Sequence, residues 1–410
     1  AGLTPKEIQL VTFDERLEDV PFDQPFDLVA ITVETYTAKR SYQISKEFRR
    51  RGVKVILGGF HPTLLPDEAL ENADAIAIGP AEGTWPSVVL DLQQGHLKRI
   101  YQAERDSEHP FVFPDRSVFR GKKYLPIRLI ETSRGCLNHC EFCATGTIYQ
   151  RQHYCRPPEE VVDELARQTC PFVFFVDDNI IANTDQAKEL FRQLIPLRLR
   201  WIGQASMNFT LDPELMDLMK RSGCAGLVVG FESIETGNIS LMQKTCNQDG
   251  IDYEEAIQRM RGIGLQLWAA FLIGYDHDTM DKIRKSVQWA IDHKFCFAAF
   301  NILTPYPSTP LYEKFKQDGR LLYDKWWLDP RYHFGDAVFK PANMTPDQLT
   351  EACFRARRRF NNTINIFRRI FDFKTNAKDL WSIATFLAYN PLFRREFYKK
   401  QGMTLGYERT

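Results

Sequence analysis

From residue 127 to residue 307, six apolar runs recur with helix-periodic stretches between them, and few folds accept that pattern. The runs are "IRLIETS", "FVFFVDD", "LRWIGQAS", "GLVVGFES", "LQLWAAFLIG" and "AAFNILTPYP"; residues 159–168, 184–194 and 251–262 supply helices between them. Strands that alternate with helices pair in parallel through right-handed crossovers. Six such units make a barrel or an open part-barrel, whose chemistry belongs where strands run into the loops that follow. The first 100 residues repeat the pattern on a smaller scale. There "IQLVTF", "FDLVAITV", "VKVILGG" and "DAIAIG" read as strands, and "TAKRSYQISKEFRRRG" and "LLPDEALENA" as helices. This second α/β unit is a Rossmann-like parallel sheet, which carries ligands at the carboxyl ends of its strands. Those ends are "TVETYT", "GGFHPT" and "GPAEG".

The expected organisation is therefore a sheet domain over 1–100, a linker over 101–125, a barrel over 126–312 and a mainly helical region over 313–410. The linker lacks periodicity and carries Pro, Gly and charge. In the last region Thr345 reads as an N-cap before a proline at the first helical position. No internal repeat or low-complexity segment is found. Lys+Arg and Asp+Glu balance at 53 each, which removes a global electrostatic case for nucleic acid. The one local skew is in 351–400, with twelve Lys and Arg against four acids. No apolar run reaches the roughly 18 residues of a membrane span, and the chain starts at Ala1 with no charged-then-apolar leader. Nine cysteines, six of them scattered, are not a disulfide framework, so a reducing cytoplasm is expected.

The other three cysteines lie in "SRGCLNHCEFCATG" at 136, 140 and 143. Thiolates are soft ligands that select zinc, copper(I) or iron-sulfur clusters. Three thiolates on a four-iron cluster leave one iron free to bind something else. Zinc is the rival, with His139, His153 or Cys155 as fourth ligand, although the second CxxC or HxxxH of a structural zinc site is missing. Buried structural thiols are the third reading.

CxxxCxxC with an aromatic before its last cysteine, directly after a barrel strand, resembles the signature of the radical S-adenosylmethionine (SAM) enzymes. The resemblance implies a [4Fe-4S] cluster on Cys136, Cys140 and Cys143. Its free iron would be chelated by SAM, whose reductive cleavage yields a 5'-deoxyadenosyl radical that takes hydrogen from unactivated carbon. "FFVDDN" then puts Asp177 and Asp178 near the SAM amino group or the substrate, and "WIGQAS" offers Gln204. "GFESI" implicates Glu232 and Ser233, and "FLIGYD" lies beside adenine. Two Asp at a strand end are otherwise capping or turn residues.

The first 100 residues are similar to the cobalamin-binding domain of one radical SAM subclass, which includes the anaerobic cyclase of magnesium-protoporphyrin ester and the hopanoid and bacteriochlorophyll methylases. The resemblance implies cobalamin contacts at Gly58 and Gly59, whose backbone can approach a flat ligand, at Thr35 for a nucleotide tail, and at Glu82. Against it, the usual acidic "GE" is Gly79-Pro80, the first strand with its glycine loop is not found, and no DxHxxG motif occurs; a purely structural domain is the alternative. Ser308 in "PYPSTP" replaces a usual glycine, so positive φ is not required of that loop.

The function so implied is radical functionalisation of a hydrophobic metabolite, a lipid or a tetrapyrrole, with cobalamin-dependent C-methylation first. Cobalamin-free hydroxylation, oxidation, cyclisation or carbon-carbon coupling is the alternative, and a structural or electron-transfer iron-sulfur or zinc protein the non-enzymatic one. Radical methylthiolation of transfer RNA would need a second cysteine set upstream, and the first 135 residues hold none. The implied electron donor is a flavodoxin or ferredoxin. The basic, aromatic C-terminal stretch either packs on the barrel or meets the inner membrane surface peripherally.

Overall fold

The computed structural model describes residues 1–104, 111–125, 127–167, 172–247 and 251–406, in two compact units. The first unit comprises Ala1–Pro126, Trp327–Tyr332 and the chain from Thr404. Its parallel sheet holds β1 (Leu28–Thr32), β2 (Lys54–Gly58), β3 (Ala75–Ile78) and β4 (Ile100–Gln102), in that spatial order. The helix Ala38–Arg50 buries Ala38, Ser41, Tyr42, Ser45 and Phe48, the three-and-four spacing of one helix face. Trp327 Nε1 donates to Glu68 Oε1 at 2.9 Å, which ties a segment from the far end of the sequence into this unit.

Two expectations change here. "IQLVTF" is not a strand: Leu10, Val11 and Phe13 are exposed, and the segment is held by side-chain bonds such as Thr12 Oγ1 to Val118 O at 3.3 Å. An isolated extended run gains little without a neighbour to satisfy its backbone. The sheet instead extends through β4 to Gln102, two residues into the expected linker.

The second unit comprises Ile127–Trp326 and His333–Met403. Its strands are β5 (Arg128–Ile130), the antiparallel ribbon β6 (Ser133–Gly135) with β7 (His153–Cys155), then β8 (Phe172–Phe175), β9 (Arg200–Ala205), β10 (Cys224–Glu232), β11 (Gln266–Ile273) and β12 (Phe297–Ile302). β12, β11, β10, β9, β8 and β5 form one all-parallel sheet in that order, the six-stranded part-barrel expected. The crossover helices Thr184–Leu194, Pro213–Arg221 and Tyr253–Gly262 are N-capped by Asn183, Asp212 and Asp252, whose side chains accept backbone N–H bonds.

Alternation along the strands sorts their side chains into two cores. Val173, Phe175, Trp201, Leu227, Val229, Phe271 and Phe300 pack with the crossover helices. Phe191 stacks on Trp201 with centroids 5.1 Å apart, and truncating either would cost about 3–5 kcal/mol. The opposite parity, Phe172, Phe174, Ile202, Val228, Trp268 and Phe297, packs with Phe386, Tyr389 and Phe393 of the helix Leu380–Lys400 and with Ile366 and Ile370 of the helix Thr363–Ile370. Since the crossover helices cover the outside of a barrel, this second face is its interior. The C-terminal helices therefore fill the amino half of the concave face. Its carboxyl half, with Gln204 and Asn301 exposed, is left open.

Candidate active site

The cysteine loop is fastened on three sides. At its start, Gly135 sits at φ 85° on the ribbon β6–β7, where a Cβ would collide with Gln152 O. In its middle, Glu141 N donates to Met242 O at 3.1 Å and Glu141 O accepts from Leu311 N at 3.0 Å. At its end, Cys143 is the residue before the short helix Ala144–Ile148. Burial pushes the Cys140 thiol up to about 12, with Lys244 acting in the opposite direction. Burial also raises Cys143, against which hydrogen bonds from Gly146 and Thr145 work. Asn138 Nδ2 donates to Cys136 Sγ at 3.3 Å.

These residues fit a cluster better than a single ion. Among the described residues no three His, Cys, Asp or Glu side chains converge as a metal ion needs. Cys155 Sγ instead contacts His153 Nδ1 at 3.4 Å on β7. A cubane binds each thiolate through a different iron, so three separated sulfurs with N–H donors around them suit it. Cys140 and Cys143 line a cavity of about 460 Å³ with His139, Arg151 and Ser308. Ser308 has φ 63°, so that loop keeps the left-handed conformation although its residue has a Cβ, contrary to the freedom read from the sequence.

At the strand ends the predicted residues separate. Asp177 is buried and its Oδ1 accepts from Thr132 N, Thr132 Oγ1 and Ser133 Oγ at 3.1, 2.7 and 2.6 Å. It thereby anchors the turn that leads into the cysteine loop, and burial raises its carboxyl to about 6. Asp178 Oδ1 accepts from Thr145 Oγ1 at 3.0 Å, beside the loop, and its carbonyl accepts from Gln204 Nε2 at 2.9 Å. Glu232 follows a bulge in β10 and holds φ 59°, a conformation uncommon for a residue with a side chain and a mark of functional sites. Ser233 Oγ accepts from Glu235 N at 3.1 Å.

Two residues that the sequence reading missed, Lys244 and Asn247, complete this corner beside the glycine of "GFES". Lys244 Nζ donates to Glu232 Oε1 at 2.6 Å. Burial opposes its charge, but Glu232, Cys246 and Cys140 together more than offset this and the ammonium is held above its usual range. Asn247 Nδ2 donates to the carbonyl of Gly230 at 2.9 Å and to that of Phe231 at 3.3 Å, which fixes the bulge. A Cβ at Gly230 would strike both Glu232 Oε1 and Lys244 Nζ, so a side chain there would displace the pair. Only the lone Lys of "QKTCN", in an aperiodic stretch after "GFES", could have signalled this from the sequence.

In the first unit the three ligand-type loops share the carboxyl edge of the sheet, since all four strands are parallel. Two of the predicted contacts are engaged within the unit. Thr35 is buried, with its Oγ1 3.3 Å from His61 Nδ1. Gly59, at φ 99°, lies so near Val33 that a Cβ would meet its carbonyl oxygen at 3.0 Å. His61 is buried with Nε2 3.1 Å from both Tyr42 Oη and Glu68 Oε1, so both ring nitrogens are occupied. Gly58, exposed Phe60 and Glu82, in the first turn of the helix Ala81–Gln93, lie at the carboxyl edge of the sheet.

Residues 130–290 match the radical SAM superfamily. The chain is 29% identical over 384 residues to bacteriochlorophyllide d C-12(1)-methyltransferase of Chlorobaculum tepidum, covering 90% of this chain and 83% of that one. It is 28% identical over 285 residues to hopanoid C-2 methylase of Rhodopseudomonas palustris, covering 66% of this chain and 54% of that one. Among solved structures it resembles the radical SAM methyltransferase TsrM of Kitasatospora setae, with cobalamin and [4Fe-4S] cluster bound. That likeness has a TM-score of 0.57 at 20% identity and covers 72% of this chain and 65% of that one.

Proposed function

We propose that the chain is a radical SAM enzyme and that it methylates an unactivated carbon of a hydrophobic lipid or tetrapyrrole in a cobalamin-dependent reaction. The observation that carries the reading is the gathering of Cys136, Cys140, Cys143, Asp178, Gln204 and the Glu232–Lys244 pair at the carboxyl end of one parallel part-barrel whose other end is filled with aromatic side chains. Bound there, a cluster and SAM would supply the radical, and cobalamin the methyl group. The three cysteines would hold the cluster. Glu232 and Ser233 would orient SAM, with Lys244 setting the position of the Glu232 side chain. Asp178 and Gln204 would face SAM or the substrate, and Asp177 would keep the cysteine loop in register. Gly58, Phe60 and Glu82 would meet cobalamin. Because His61 is engaged on both nitrogens, the chain would offer no His61 ligand to cobalt.

The aromatic filling from the C-terminal helices serves such chemistry by keeping water from the reacting carbon. Electrons would come from a flavodoxin or ferredoxin, and a peripheral seat on the inner membrane surface would bring the enzyme near lipid-soluble substrates. The test is anaerobic reconstitution with iron, sulfide and hydroxocobalamin, followed by metal analysis and methyl transfer from methyl-labelled SAM to hopanoid and tetrapyrrole substrates. About four irons and one cobalt per chain, with iron lost on Cys→Ala at 136, 140 and 143, is the expected result. Iron without cobalt would redirect the search to cobalamin-free oxidation or coupling, and zinc in place of iron would end both readings.

A further inference from the structure

Among the described residues, the four most exposed large apolar side chains all fall in the stretch from Ile364 to Leu380. Leu380 is 86% accessible, Phe373 76%, Ile364 73% and Phe367 64%. On the helix Leu380–Lys400 the exposure continues at Ala384, Leu387, Pro391 and Tyr398. That spacing puts them on one face, opposite Phe386, Asn390 and Phe393, which turn toward the barrel interior. Arg394 Nη1 donates to Thr363 Oγ1 at 2.8 Å, so the start of the helix Thr363–Ile370, with Ile364, lies against the same outer face. Isolated apolar residues on a surface need no explanation, but a continuous face of this kind does.

Charge identifies what covers it. Between 363 and 400 seven Lys and Arg are exposed, and none of the three acids in that span is. Asp372 is buried against Arg261 and Asp379 is paired with Arg200. Glu396 is partnered by Lys400 within the helix. The neighbourhood of the apolar face is thus cationic in a chain whose overall charge is zero. An apolar helix face edged by Lys and Arg is the arrangement that enters the headgroup region of an anionic bilayer. No helix among the described residues is long and apolar enough to cross a membrane.

We infer that the outer face of the helices Thr363–Ile370 and Leu380–Lys400 docks on an anionic lipid surface, with Ile364, Phe367, Phe373 and Leu380 inserted and Arg368, Lys374 and Arg395 at the headgroups. The inference deepens the peripheral seat named above and is independent of the chemistry at the cysteine loop.

The experiment is co-sedimentation of the full chain with vesicles of phosphatidylcholine alone and of phosphatidylcholine with phosphatidylglycerol. Binding about tenfold stronger to the anionic vesicles, and weakened at 1 M salt where screening is nearly complete, is expected. The triple variant Phe367→Ser, Phe373→Ser, Leu380→Ser should lose at least about tenfold in vesicle binding. Its iron content after reconstitution should match the parent, which separates this proposal from the fate of the catalytic one. Equal sedimentation of parent and triple variant, or no binding to either vesicle, would overturn it. So would a dimer without lipid that the triple substitution dissociates, since a second copy would then own the face.

Discussion

Lys244 Nζ lies 2.6 Å from Glu232 Oε1, and both side chains are almost wholly withdrawn from solvent. A buried ion pair is expensive to leave half made. Lys244→Met should therefore destabilise the apoprotein by about 3–5 kcal/mol, whereas adding Glu232→Gln to it should recover a large part of the loss. Urea unfolding of parent, single and double variants reads this directly, and a loss below about 1 kcal/mol in the single variant would show the pair to be solvated.

Gly230 leaves room for that pair. Gly230→Ala forces Glu232 and Lys244 apart without touching the cysteine loop, so iron content should be unchanged while SAM binding weakens by about tenfold or more. Anaerobic calorimetry with SAM on the reconstituted protein provides the measurement. Unaltered affinity would remove Glu232 from the SAM site.

Two buried carboxyls set a pH dependence. Burial raises Asp177 from 3.8 to about 6 and Asp278 from 3.8 to about 6. Between these values the native state holds more protons than the unfolded chain, so their contribution to stability falls as pH climbs from about 4 to about 6 and is level above that. Each accounts for up to about 3 kcal/mol. Asp177→Asn keeps an oxygen that can accept from Thr132 and Ser133 but cannot ionise. The stability gained on acidification across this window should be smaller in the variant than in the parent by about half of what the two carboxyls supply together, as read from urea midpoints at several pH values. Parallel curves for parent and variant would refute the assignment.

Arg369 is fully buried and donates to the carbonyls of Phe295, Cys296 and Phe360 and to Asn390 Oδ1, with its guanidinium 3.8 Å from the Phe360 ring centroid. Burial lowers it to about 9, still charged at neutral pH. Arg369→Leu takes this donor from the carbonyls of Phe295 and Phe360, while Cys296 O keeps Asn390 Nδ2, at a cost of about 3 kcal/mol. The C-terminal helices should then become open to limited proteolysis after Phe360 while the rest of the chain resists. Unchanged cleavage would mean that the aromatic contacts hold them alone.

Much of this was legible because it is local. The six strands of the part-barrel follow from apolar runs of the right length, and Thr345 caps its helix through Gln348 as Thr-Pro followed by Gln announces. The cysteine loop was legible because its spacing is a chemical statement in itself. "IQLVTF" misled because an alternating apolar segment becomes a strand only beside another strand, and no sequence shows its neighbours. Asp177 and Asp178 are adjacent and alike in sequence. One is buried under three donors while the other meets Thr145, a distinction made by which side of the strand end each occupies.

By itself, the sequence determined the parallel part-barrel, the small parallel sheet before it and the three thiols set where a strand enters its loop, since periodicity, capping and ligand spacing act over a few residues. Only the tertiary structure decided that Lys244 reaches Glu232 over Gly230, that Thr35 and Gly59 are engaged within their own unit, and that the C-terminal helices fill the barrel interior while turning an apolar, cationic face outward. Those relations join residues far apart in the chain, and their energies come from burial and charge pairing, which exist only once the strands have assembled.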